Sequence, residues 1–212
     1  GGFYNATSGD IVSKSKQLYL MSDDRINKID TPNNINLGNY KMLVLSDGNL
    51  LLWDNARIYI YENGIYKTIY EAEKEANISS VSAGLEGIFL NKNTIKDDSY
   101  ISTVIYLSYS GETKKSISFT SEYVERRGEA DQDIKINNII LKSSPSSKNV
   151  FINNNEKSYI YNDSLELLAI LPTNYIRTVH WVSDNELLYS EGENIYKYLL
   201  SDPKSEVITS SA

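Results

Sequence analysis

Any chemistry this chain performs has to be built almost entirely from oxygen ligands and aromatic rings, because it contains no cysteine and a single histidine, His180. The absence of Cys removes thiol nucleophiles, thiolate zinc sites and disulfides together. One histidine cannot make a two-histidine metal centre, and no nucleophile or orienting acid stands at motif spacing from it. The G-x-S-x-G elbow of serine hydrolases is missing, as are G-x-G-x-x-G and G-K-[ST], so neither that nucleophile nor a phosphate cradle is indicated. The acidic pairs Asp23-Asp24, Asp97-Asp98 and Asp131-x-Asp133 lack the glycine and distal glutamate of a calcium loop. No metal site and no cofactor is therefore expected.

Two chemistries remain open. Glycan cleavage needs two carboxylates converging to about 5–10 Å, and Asp47, Glu86, Asp184 and Glu186 are the acids to inspect, since each sits at an equivalent hairpin. Ligand stacking needs exposed ring faces, for which Trp181 and Tyr189, beside His180, are the candidates; Trp53, inside a leucine run, reads as core. A third feature is the charged stretch 121–135 (SEYVERRGEADQDIK), which has no clean period. A loop of that length is commonly functional or disordered, and Tyr123, Arg126 and Arg127 give it the mixture of a protein-contact surface.

The elements that would position these residues are short strands in a repeat. Ser46 to Tyr61 (SDGNLLLWDNARIYIY) and Ser183 to Tyr198 (SDNELLYSEGENIYKY) coincide without gaps at seven of sixteen positions. The shared pattern is a polar turn, an apolar strand, a polar hairpin and an alternating strand ending in Tyr. Asp47-Gly48 and Asn63-Gly64 are strong hairpin signals. Inner apolar strands begin near 18, 50, 88, 150 and 187, predicting five four-stranded meanders over 8–34, 40–71, 78–120, 136–172 and 176–210. Asn91 to Asp98 reads as an insertion in the third unit. Glu71 to Ala76 (EAEKEA) reads as a connection with room for one helical turn, being too short for a stable helix. Repeats of this kind stack radially to protect their edges. The expected fold is an all-β, five-bladed β-propeller forming a single domain over 1–212. A six-bladed or open variant stands second and a two-sheet sandwich third, with Phe3 to Thr7 beside Glu206 to Thr209 as the natural ring closure.

The segment VHWVSDNELLYSEGENIYKYLL resembles the W-S-P-D-G-x-x-L-x-Y … I-Y-x-x blade of TolB-like and WD40-like propellers, with Val182-Ser183-Asp184 in place of Ser-Pro-Asp and Asn185 in place of Gly. The resemblance is clear in units two and five and implies hairpin geometry, not an activity.

Composition narrows the partners. With 28 acidic and 21 basic residues the net charge is −7, and no basic stripe is present, so nucleic acid is not an expected partner. The longest apolar runs are four to six residues, far below the roughly 20 of a membrane-spanning helix. The reading that follows is a non-enzymatic binding or scaffolding module presenting one propeller face to a protein or glycan. Its expected location is extracytoplasmic, on a Gram-positive-type cell, as the ectodomain of a lipoprotein or membrane-anchored sensor. A glycan-active hydrolase or lyase with its site at the channel mouth is the alternative, and a purely structural oligomerisation module the third reading.

Overall fold

The computed structural model describes residues 3–6, 9–14, 17–22, 25–29, 40–97, 99–122, 139–154, 157–173 and 176–210. The described residues contain only strands, turns and bends, arranged as five separate four-stranded antiparallel sheets, which excludes the two-sheet sandwich. The chain divides into two compact units, Gly1–Ala72 and Glu73–Ala212.

The first unit holds two sheets. In the first, β1 (Phe3–Ala6), β2 (Gly9–Lys14), β3 (Gln17–Ser22) and β4 (Arg25–Ile29) pair in sequence order. This sheet spans 3–29, where the sequence suggested 8–34. β1 pairs in register with its own neighbour, Phe3 opposite Val12 and Ala6 opposite Gly9.

The second sheet comprises β5 (Lys41–Val44), β6 (Leu50–Trp53), β7 (Arg57–Glu62) and β8 (Ile65–Glu71). All four residues of β6 are buried, and their alternation explains why. Leu50 and Leu52 pack with Tyr59, Tyr40 and Tyr61, while Leu51, Ile58 and Ile60 are buried from the opposite face. Asn63 and Gly64 both adopt positive φ, 51° and 82°, as a two-residue hairpin turn requires. Glu71 ends β8, and the Ala76 amide closes a simple turn on the Glu73 carbonyl at 2.9 Å; no helix forms there.

The second unit holds three sheets: β9 (Ala76–Ala83), β10 (Ile88–Lys96), β11 (Ser99–Leu107) and β12 (Thr113–Glu122); β13 (Ile140–Ser143), β14 (Asn149–Asn153), β15 (Ser158–Asn162) and β16 (Leu167–Leu171); and β17 (Ile176–Ser183), β18 (Glu186–Glu191), β19 (Asn194–Leu199) and β20 (Asp202–Ser210). The middle sheet is covered on both faces. Val150, Ile152 and Tyr161 face Phe89, Val104 and Tyr106 of the preceding sheet. Phe151 and Ile160, one residue out of phase, face Trp181, Leu187 and Tyr189 of the following one. A continuous V-F-I run is what a strand buried on both sides demands.

The residues read as an insertion from Asn91 onward take the form of a longer hairpin. Asn91 through Lys96 continue β10, paired through Lys96 with Ser99, so the hairpin is lengthened rather than interrupted. A β-bulge at Asn91/Lys92 places Ser79 as the extra residue of β9. The Asn91 amide donates to Ser79 Oγ at 2.7 Å and to Asn93 Oδ1 at 2.8 Å, and Ser102 Oγ donates to the same Asn93 oxygen at 2.8 Å. Asparagines that suggest a loop in sequence are here buried and bonded sideways.

Phe151 is fully buried between two sheets. Phe151→Ala is expected to lower unfolding free energy by about 3–5 kcal/mol, measured by denaturant titration. Lys67→Ala, on exposed β8, should change it by no more than about 0.5 kcal/mol.

Candidate functional site

The first strands of the three sheets in the second unit lie side by side. Ser143 N–H donates to Ser82 Oγ at 2.8 Å, and the two hydroxyls approach to 2.9 Å. Trp181 Nε1–H donates to the Lys142 carbonyl at 2.8 Å. Each first strand turns back through a hairpin, and these turns are bonded to one another. Leu85 and Glu86 donate their amides to the carbonyls of Pro145 and Ser146 at 2.8 and 3.1 Å. Ser147 Oγ donates to the Gly87 carbonyl at 2.9 Å, and the Tyr109 hydroxyl donates to the Gly84 carbonyl. The approach is close enough that a Cβ on Gly84 would lie 2.6 Å from the Ser144 carbonyl oxygen, so glycine is required there.

Asp184 completes this rim. Its carboxylate accepts from the Ser146 amide at 3.1 Å and the Ser146 hydroxyl at 2.6 Å, while its carbonyl accepts from Asn149 Nδ2 at 2.6 Å. Burial works against its charge, yet the hydrogen bonds from Ser146 and Ser144 and the nearby Lys148 outweigh it and hold the carboxyl below its ordinary value. These bonds make the carboxylate a clamp between two turns. Asp47 plays a comparable local part. It accepts from the Asn49 amide at 3.0 Å and from Asn49 Nδ2 at 2.9 Å, closing its own turn.

The other expected residues fall into three settings. Trp181 and Tyr189 lie inside the core between the fourth and fifth sheets, only 6% and 2% exposed. Tyr189 stacks on Tyr196 at 5.1 Å and donates its hydroxyl to Ser205 Oγ at 2.8 Å. Neither offers a ring face to a ligand, because alternation along β17 and β18 turns both toward the neighbouring sheet. His180, adjacent to Trp181 on the strand, is exposed, as is Glu86 on the rim; Glu186 is half-buried at the start of β18. Tyr123, Arg126 and Arg127, with the rest of 123–135, lie outside the described residues. Among the described residues no group of three or more His, Asp and Glu side chains could hold a metal ion. Among the same residues no helix is long and apolar enough to cross a membrane.

Ser144, Ser146, Asn149 and Gly84 are not legible as site residues in the sequence. The run S-S-P-S-S-K-N signals a turn, but the partner of that turn is 38 residues away on another sheet.

No protein-family model and no curated protein sequence matches the chain. Solved structures do match. An oligogalacturonate lyase in complex with manganese aligns with a TM-score of 0.65 and 10% identity, over 92% of this chain and 59% of that one. The WD40 domain of Pan2 from Neurospora crassa aligns at 0.55 and 13%, over 97% and 63%. A putative TolB from Agrobacterium tumefaciens aligns at 0.53 and 11%, over 95% and 76%. The chain thus spans about three fifths of the length of the first two, at identities that speak for the fold alone.

The clamp has a pH signature. An aspartate with a depressed folded-state pKa contributes stability above its ordinary value, near 3.9, and loses it as pH falls through the folded value. Asp184→Asn is expected to cost about 1–2 kcal/mol at pH 7, with the deficit closing below about pH 4; thermal melts of both proteins across pH 3–7 measure it. Five four-stranded antiparallel meanders, the interlocked first strands of the second unit and the matching solved structures agree on one architecture: the fold is a β-propeller.

Proposed function

We propose that the chain is a non-enzymatic binding or scaffolding module, acting as one five-bladed propeller outside the cytoplasm and engaging a partner protein through the hairpin rim of its second unit. The observation that carries this reading is the bonding of that rim. Three successive turns are tied by backbone and carboxylate hydrogen bonds, so the surface they present is organised before any partner arrives. It carries Leu85, 60% exposed, next to the exposed Glu86, Pro145, Lys148 and Asn185. An apolar anchor ringed by charges and a proline suits a protein contact better than a glycan, which would call for an exposed aromatic platform. The two acids with turn duties, Asp47 and Asp184, further weaken the hydrolase or lyase alternative. The net charge of −7 weighs against a nucleic-acid partner. The extracytoplasmic location rests on the TolB-like blade style.

The test is capture of cell-surface proteins by the immobilised chain, followed by affinity measurement with the protein recovered. The double variant Leu85→Glu, Lys148→Glu should weaken binding by about tenfold or more, while Thr68→Glu on β8 leaves it intact. Release of reducing or unsaturated sugar ends from a glycan panel, lost in Glu86→Gln or Glu186→Gln, would replace this reading with the enzymatic one.

A further inference from the structure

The last strand of each sheet is an edge, and four of the five carry charge: Arg25 and Lys28 in β4, Lys67 and Glu71 in β8, Lys114 and Lys115 in β12, Lys204 and Glu206 in β20. Charged side chains are the common protection of an edge against pairing with another chain. β16 has none. Its five residues, Leu167-Leu168-Ala169-Ile170-Leu171, are all apolar, and Leu167, Leu168 and Ile170 are 50%, 48% and 52% exposed. Among the described residues β16 pairs only with β15, leaving its other side unpaired. A bulge lies at Leu168, but β8, β12 and β20 have bulges too, so missing charge is what sets this edge apart.

We propose that β16 is a self-association edge, on which two copies of the chain pair antiparallel about Ala169 and join two four-stranded sheets into one of eight strands. The segment is its own complement under that operation. Ala169, the smallest residue, falls on the two-fold axis opposite itself; Leu168 meets Ile170 and Leu167 meets Leu171. Every cross-strand pair is apolar, as favourable pairing in a sheet requires. At the ends, Glu166 meets Pro172, so no like charges are opposed, and Glu166 is already held by Asn162, whose Nδ2 donates to its carboxylate at 2.8 Å. The same operation on β20 would place Glu206 opposite Glu206, which is unfavourable. A two-fold edge contact of this kind is isologous and closes at the dimer, so it does not propagate into fibres.

The absence of cysteine makes the test clean. Sedimentation velocity of the 212-residue chain over a hundredfold concentration range should show its mass doubling as concentration rises. Ile170→Lys should shift the transition to at least tenfold higher concentration, with the circular dichroism of the wild type retained because the side chain is half exposed. Ile170→Thr, neutral and strand-forming, should keep the dimer. Ala169→Cys should form a covalent dimer on mild oxidation, whereas Thr68→Cys on β8 should not. A chain that stays monomeric throughout, a dimer indifferent to Ile170→Lys, or Ala169→Cys that crosslinks no better than Thr68→Cys would each overturn the proposal.

Discussion

An inner strand with a continuous apolar run has to be covered on both faces, and that constraint shapes the three sheets of the second unit. β14 shows it most clearly: Val150 and Ile152 point one way, Phe151 the other, and both sides are fully buried. A four-stranded meander alone exposes both of these faces to water, at a cost of about 25 cal/mol for each Å² of apolar surface. Stacking meander on meander removes that cost and, because each sheet is twisted, sets the next one at an angle to the last. The same stacking brings the first strands together, with Ser82 against Ser143 and the Trp181 indole on the Lys142 carbonyl.

The rim follows from the stacking. Once the first strands are neighbours, the turns that end them are within bonding distance, and their peptide groups satisfy one another across sheets. Gly84, Ser146 and Asp184 then serve a joint, which accounts for a carboxylate held ionised without any substrate in prospect. An acid at a repeated hairpin position has two uses, reacting with a ligand or holding the next blade. At Asp184 the short bonds to Ser146 favour the second.

Much of the architecture is legible in the amino-acid sequence. The Leu50–Trp53 run, the Asn63-Gly64 turn and the ungapped match of 46–61 with 183–198 are local signals, and local signals survive folding. What is not legible depends on partners distant in sequence. Trp181 and Tyr189 alternate like exposed platform residues and like core residues alike; only the neighbouring sheet decides, and it buries them. Asn91 and Asn93 carry the composition of a loop, but a bulge and Ser102 supply the hydrogen bonds that let them continue a strand. Asp184 stands out in sequence for its recurring position, while its bond to Ser146 is invisible there because a turn signal does not say what the turn touches. The charge-free composition of β16 is in plain view, yet its meaning needs the knowledge that this strand is an edge.

The three hairpins of the second unit form one bonded rim. Amide hydrogen exchange at Leu85, Glu86 and Ser146 tests it most directly, since all three are turn amides whose acceptors lie on another hairpin. The expected result is protection approaching that of the β14 strand amides. Exchange as fast as at the Asn63-Gly64 turn would mean three independent loops in place of a bonded rim.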